Sequence, residues 1–390
     1  MIKIFYGPAI EFEKTIPKNA DRVTLTKLLS ELDSKNRELK IVREGDNNDR
    51  SSMKNIENLV ITTEEYARLS ESGINGFLTL ISEVNITNMY IQNPPEAIFE
   101  QLKKCYESNI KRQEFKHKKI NENDLNYFYK GFSNIILGQD GARDKLMINL
   151  YKIAKGYNKG KPLVIMLYGP SGVGKTETAK YLSKTIGVKL FRKQFSMYQN
   201  MAFADYVFGS NHNSSSLARD LLDRDSNIIL FDEFDKPSSI FYSAFYQMFD
   251  EGKFVDKNYK VNLKNSIIIC TSNFLNLKDI KKSLGDAIFS RFDSFIEYEE
   301  LSDNVVKEMI KIKFNSIYKS LNNEDKKFIN FDDHVDRILT CSKKLKNVRD
   351  IDRVINEYVF SKIKNNDNIS NNNIVEAYFE WESEKNEATE

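Results

Sequence analysis

Two short stretches of this chain combine residue types that could handle a triphosphate. The first, Gly169-Pro170-Ser171-Gly172-Val173-Gly174-Lys175-Thr176, spaces three glycines ahead of a lysine and a hydroxyl. Glycines let a backbone curl until its N–H groups converge on phosphate oxygens, and a following helix adds the positive end of its dipole. Lys175 would then reach the β- and γ-phosphates, and the Thr176 hydroxyl would ligate Mg²⁺. The second, Ile228-Ile229-Leu230-Phe231-Asp232-Glu233, sets two acids at the end of an apolar run. Asp232 is expected to act on Mg²⁺ directly or from its second coordination sphere, while Glu233 orients and deprotonates the attacking water. The next acid, Asp235, needs no role beyond an exposed turn.

The elements needed to hold these groups are visible around them. Leu163-Val164-Ile165-Met166-Leu167 is a short apolar run of the kind that forms a buried parallel strand. Thr178, Ala179, Leu182 and Ile186 then recur at helical spacing. With 390 residues the chain is longer than one typical domain, and its pattern divides into an α/β unit at 1–110, a basic linker at 111–124, the nucleotide-binding unit at 125–300 and a helical unit at 301–390.

In the first unit, short apolar runs at 2–6, 39–42, 59–61, 77–81 and 89–91 alternate with helical patterns. Thr62 and Glu65 form a capping box, and Pro94-Pro95 opens a helix carrying Ile98, Leu102 and Cys105. No catalytic constellation stands out there, and Glu11, Glu13, Glu44 and Asp46 read as solvated surface. Lys111, Arg112, Lys116, Lys118 and Lys119 make one short basic cluster with no interleaved platform of aromatics, which reads as linker rather than nucleic-acid patch. The last unit holds amphipathic helices, one with Val305, Met309, Ile312 and Ile317, another with Val348, Ile351, Val354, Ile355 and Val359. An Asn-rich loop from Asn365 to Asn373 and a charged, frayed end beyond Trp381 complete the pattern.

Composition sets outer limits. The formal charge is +2, so no whole-chain field favours nucleic acid or membrane. Three cysteines and three histidines without ligand spacing offer neither a zinc site nor a disulfide framework. No apolar run approaches membrane length and the start lacks a leader pattern, so the expected place is the cytoplasm.

The order of these motifs, followed by Thr271-Ser272-Asn273, Arg291 and Arg349, resembles the AAA+ ATPases, and within them the Clp unfoldases and disaggregases. The resemblance covers about residues 130 to 385. It is strongest where Phe231 to Pro237, Phe249-Asp250-Glu251-Gly252-Lys253 and Ile268 to Asn273 follow one another as in the second ATPase ring of those chaperones. It implies a parallel-sheet αβα core with a C-terminal α-helical lid. Asn273 would then be the polar sensor of the γ-phosphate or attacking water. Arg291 would be an arginine finger entering the neighbouring subunit's site, and Arg349 the second sensor on the lid. Asn347 and Val348 stand where the family has glycine and alanine, and Asn347 is expected to tolerate the positive φ of that turn. Ile136 and Leu137, before Gly138-Gln139, would hold the adenine, making the nucleotide ATP.

The resemblance also implies a pore loop, for which Phe203 to Gly209 is the candidate segment, with Tyr206 and Val207 gripping polypeptide and Phe203 and Phe208 as alternatives. Phe274 to Ser290 lacks the Ile-Gly-Phe or Ile-Gly-Leu loop that docks a peptidase. The expected machine is thus a single-ring, Mg²⁺-dependent ATPase, a hexamer, that remodels proteins recruited through its N-terminal domain. Two other classes stay open: an AAA+ motor or switch acting on nucleic acid, for instance in a defence or mobile-element system, and a module whose ATP binding organises a partner.

Overall fold

The computed structural model describes residues 1–18, 21–37, 54–197 and 201–365. The apolar run 39–42, Glu44, Asp46, the Asn-rich run beyond Asn365 and Trp381 lie outside them. The first sheet comprises β1 (Ile2–Tyr6), β2 (Arg22–Thr24), β3 (Lys54–Ile61), β4 (Val84–Gln92) and β5 (Ile110–Glu114), in the order β2-β3-β4-β1-β5 with every pair parallel. Helices Leu25–Arg37 and Glu96–Tyr106 cover one face, burying Leu25, Leu28, Ile98 and Leu102 against Ile4, Leu59 and Ile91. Among the described residues the other face holds a small cluster of Phe5, Phe12, Ile16, Val60 and Tyr90. Two in-register asparagine pairs cross from β4 to β3, with Asn85 donating to Asn55 at 2.9 Å and Asn88 to Asn58 at 3.2 Å.

Two expectations for this region are corrected. Phe77–Ile81 is a helix: it follows Gly76 after a turn of helix and buries Phe77 and Ile81 beneath the sheet. The basic stretch begins inside the sheet, because β5 pairs with β1 from Ile110 through Glu114. Only about seven residues then separate that strand from the helix Glu122–Ile135.

The second sheet comprises β6 (Leu163–Tyr168), β7 (Phe191–Gln194), β8 (Ile228–Asp232), β11 (Ile267–Ser272) and β12 (Ser294–Glu297), in the order β12-β6-β11-β8-β7, again all parallel. A small antiparallel hairpin, β9 (Lys253–Val255) with β10 (Lys260–Asn262), stands beside it. The sheet is buried on both faces, and the alternation along each strand sorts its residues. Leu163, Ile165, Leu167, Ile228 and Leu230 join helices Glu122–Ile135, Asp140–Ala154 and Lys175–Ile186. Val164, Met166, Ile229 and Phe231 face an aromatic-rich cluster that includes Phe195, Phe234, Phe245 and Phe249. Helices Asp303–Ser320, Phe331–Leu339 and Val348–Asn365 form a separate bundle with its own core. The architecture is the expected α/β one: a parallel-sheet phosphate-loop unit between a small α/β unit and a helical unit.

The N-terminal unit packs against the second unit through polar contacts. Ala9 N–H donates to Asp223 (2.9 Å), Glu96 N–H to the Asn258 carbonyl (2.8 Å), and Lys260 pairs with Glu96 (2.7 Å). Buried His212 bonds the Leu69 carbonyl at 2.7 Å.

Candidate active site

The carboxyl ends of β6, β8 and β11 open onto a cavity of about 640 Å³ between the sheet and the helical bundle. Its rim begins with the phosphate loop, where the sequence needs glycine for steric reasons. Gly169, Gly172 and Gly174 all have positive φ. A Cβ at Gly169 would lie 2.1 Å from the Tyr298 carbonyl oxygen, and one at Gly174 2.9 Å from Ile136 Cγ2. The loop can therefore approach both its own protein and a ligand only as bare backbone.

Lys175 opens the helix Lys175–Ile186 and is buried. Its ammonium donates to the Gly169 carbonyl at 2.6 Å and the Pro170 carbonyl at 2.5 Å. Burial pushes its pKa down to about 8, partly offset by Asp232 and Asp235. A buried cation resting on neutral carbonyls is ready for an anion. Next to it, the Thr176 hydroxyl lies 3.1 Å from Asp232 Oδ1. That hydroxyl–carboxylate pair beside a backbone cradle suits Mg²⁺, which takes few protein oxygens and keeps phosphate and water as its other ligands. Thr176 and Asp232 are the residues that would hold it.

Asp232 is fixed by more than the sequence suggested. Thr271 Oγ1 donates to it at 2.6 Å, and Arg192 on β7 forks onto its Oδ2 at 2.6 and 3.1 Å. Glu233 turns into the left-handed region at φ 55°, held there by an N–H bond to Thr271 Oγ1 of 2.9 Å. Such a conformation in a non-glycine residue costs about 1 kcal/mol or more and belongs to sites that need it. Gln194 donates to the Glu233 carboxylate at 3.3 Å. Asn273, just past β11, also lines the cavity. Asp235, in contrast to the exposed turn expected for it, is buried, and burial raises its pKa.

From the opposite side the helical bundle contributes Met309, Ile312, Lys313, Val348, Arg349 and Asp352. Arg349 reaches across to Ser171 Oγ (3.2 Å) and Val348 N–H bonds the Gly172 carbonyl (3.1 Å), so the bundle rests on the phosphate loop. Ile136 and Leu137 complete the apolar end, with Ile136 buried against Gly174.

Residues 161–319 match the AAA domain (Cdc48 subfamily). The ATP-dependent Clp protease ATP-binding subunit ClpL of Staphylococcus aureus, in strains USA300 and NCTC 8325, is 29% identical over 221 aligned residues, covering 50% of this chain and 31% of the relative. Residues 161–319 thus carry an AAA domain, and about half of the chain is similar to a Clp ATP-binding subunit. It spans about a third of the length of these curated relatives.

Against the AAA+ frame, the expected site residues separate into three groups. Gly172, Val173, Gly174, Lys175, Thr176, Asp232, Glu233, Asn273 and Arg349 line one cavity. Arg291 does not. Its side chain pairs with Asp250 (2.9 Å), donates to the Ala287 carbonyl (2.5 Å) and lies over the Tyr246 ring at 4.2 Å, outside its own chain's cavity.

The third group is corrected. Tyr206 and Val207 are buried in the helix Met201–Phe208, together with Phe203. Tyr206 donates to Asp220 at 2.7 Å, and Phe203 stacks edge-on against Phe195. Phe203, Tyr206 and Val207 fall three and four residues apart, so they share a helix face and serve the core instead of a gripping loop. Asn347 is also corrected: it is not among the residues of positive φ. It accepts from Asp350 N–H at 2.9 Å, acting as a helix cap in front of Arg349.

Arg192, Gln194 and Thr271 were missed as site residues. Thr271 was visible in sequence as the residue two before Asn273. Arg192 and Gln194 reach the acids because β7 pairs with β8 with Gln194 opposite Asp232, and no local pattern announces that pairing.

Proposed function

We propose that this chain hydrolyses ATP with Mg²⁺ in a closed oligomeric ring, a hexamer, and uses the cycle to remodel proteins. The observation that carries this is the convergence of Lys175, Thr176, Asp232, Glu233, Asn273 and Arg349 on a single cavity. Backbone N–H groups of Gly172 to Thr176 and the Lys175 ammonium would hold the phosphates, and Ile136 and Leu137 the adenine. Bound Mg²⁺ would neutralise phosphate charge there. Glu233, aimed by Thr271 and Gln194, would take a proton from water, and Asn273 would position that water. Arg349 senses the phosphates from the lid, so nucleotide exchange would move the helical bundle against the sheet.

Arg291 would complete the neighbouring subunit's site. The relatives' printed name describes an ATP-binding subunit of a protease. In this chain the segment between Asn273 and Arg291 folds into helices Leu277–Leu284 and Asp286–Phe289, with Leu284 and Ile288 buried, which supports action without a docked peptidase. We place its work in the cytoplasm; no helix among the described residues is long and apolar enough to cross a membrane.

A second reading, an ATP-driven switch that organises a partner without threading it, is favoured by one observation. Tyr206 and Val207 are core residues, and the loop after them is tied to the N-terminal unit where His212 meets the Leu69 carbonyl. The two readings separate in one experiment: the ATPase rate of the purified chain alone, with an unfolded polypeptide, and with single-stranded or duplex DNA. Stimulation by polypeptide supports remodelling, and an unresponsive basal rate supports the switch. Response to DNA alone overturns both. Glu233→Gln should bind ATP and hold it unhydrolysed; turnover retained in that variant would remove Glu233 as the base.

A further inference from the structure

A second cavity, of about 430 Å³, lies where the N-terminal sheet meets the AAA+ domain, and it shares no lining residue with the nucleotide cavity. Six cations line it, Arg112, Lys116 and Lys119 from one side and Arg224, Lys260 and Lys264 from the other, against a single carboxylate, Glu114. Arg112 is paired with Glu114 and Lys260 with Glu96. Lys116, Lys119 and Lys264 have no ion pair among the described residues.

Arg224 is the decisive group. It is 6% exposed, yet its guanidinium bonds only neutral acceptors: the carbonyls of Leu221 (2.6 Å) and Asn262 (2.8 Å) and the side-chain oxygen of Asn227 (3.2 Å). Its Nε is buried without a hydrogen-bond partner, as is Nδ1 of His117 in the same wall. Burial pushes the Arg224 pKa down to about 9, partly offset by the Glu114 carboxylate, and burial with the adjacent Arg224 charge pushes His117 down to about 3. His117 is therefore a neutral imidazole beside a guanidinium that makes no ion pair among the described residues. Burying a charge without a partner is costly, and an anion entering this cavity would remove that cost.

We propose that this junction binds a small phosphate-bearing molecule of about nucleotide size, with Arg224 and the flanking lysines holding its phosphate groups. The volume falls within the ordinary range for small-molecule sites. Arginine suits phosphate through its fork of donors. A nucleic-acid backbone fits less well, because it tracks an open basic groove, whereas the guanidinium at the centre of this site is buried. The placement also gives the ligand a route to the ATP site. Arg224 and Asn227 precede β8 at its amino end, and Asp232 closes β8 at its carboxyl end. The ligand would touch both units and fix the angle between them.

The test uses the full chain saturated with ADP and Mg²⁺, so that the nucleotide cavity is filled. Inorganic pyrophosphate and AMP are titrated into it by calorimetry at constant ionic strength. One additional molecule should bind per chain, and the doubly substituted Lys116→Gln, Lys264→Gln protein should bind it about tenfold or more weakly while its ADP affinity stays unchanged. Both lysines are exposed, so the fold is not at stake. Absence of binding by either probe, or equal binding in the double variant, overturns the proposal. So does salt-sensitive binding of a short duplex DNA that the double variant loses while neither small probe binds, which would assign the basic junction to nucleic acid.

Discussion

Lys175 sits with its ammonium on two backbone carbonyls, and its pKa of about 8 lies below the ordinary lysine value because burial opposes the charge. The unfolded chain would bind that proton more tightly, so between pH 8 and the ordinary lysine pKa the folded state gains stability as pH rises. Below pH 8 the penalty is fully present. Lys175→Met should therefore abolish nucleotide binding while stabilising the nucleotide-free protein at pH 7, by on the order of 1 kcal/mol. That gain should shrink as pH approaches 10. Melting curves of the two proteins across this range check it, and a destabilised variant at pH 7 would contradict the burial argument. Thr271 makes the opposite kind of contribution. Its hydroxyl bonds both Asp232 and the Glu233 backbone, so Thr271→Val should leave ATP affinity within a few-fold and lower kcat by about tenfold or more. Loss of affinity with kcat preserved would assign Thr271 to binding instead. The phosphate loop and the acids were legible in sequence because only glycine, lysine and a terminal carboxylate satisfy their geometry. Arg192 was not, since its role arises from the pairing of β7 with β8, which a linear pattern does not encode.

At the scale of elements, the helix Val348–Asn365 carries Arg349 and must start in the right place for that arginine to reach Ser171. Asn347 fixes the start by accepting from Asp350 N–H, and Val348 N–H anchors it to the phosphate loop. Asn347→Ala should cost about 1 kcal/mol in stability by loss of the cap and weaken nucleotide binding, because Arg349 loses its register. Nucleotide titration of Asn347→Ala beside Arg349→Ala checks this: comparable losses support a positioning role for Asn347, and unchanged affinity removes it. Periodicity revealed this helix, and apolar runs marked β1, β3, β4, β6 and β8, since buried elements impose their pattern on sequence; β2, β5, β7 and β12 carried no such run. The family resemblance misled at Phe203, Tyr206 and Val207, where an aromatic-rich helix face has the same composition as a gripping loop. Only the packing around Phe195 and Asp220 tells them apart. Phe77–Ile81 was ambiguous for a related reason: five apolar residues are too few to distinguish a strand from a buried helical turn.

At the scale of the whole molecule, Arg291 poses a question that one chain cannot answer by itself. Its guanidinium stands over Tyr246 and against Asp250, a partly exposed arrangement from which it could turn toward an adjoining subunit at little cost. If it serves the neighbour's γ-phosphate, Arg291→Ala should still bind ATP and hydrolyse it slowly, by about a thousandfold at the scale of other such arginines. Mixing supplies the decisive case. Rings of Arg291→Ala alone have intact cavities but no finger, and rings of Lys175→Met alone have fingers but no working cavity. Combined in equal amounts, about one interface in four would join an intact cavity to an intact finger. The mixture should then hydrolyse ATP well above the sum of its parts, at about a quarter of the wild-type rate if interfaces act independently. If Arg291 only tethers Asp250 within its own chain, no interface is repaired and the mixture stays at the sum of the two inactive proteins.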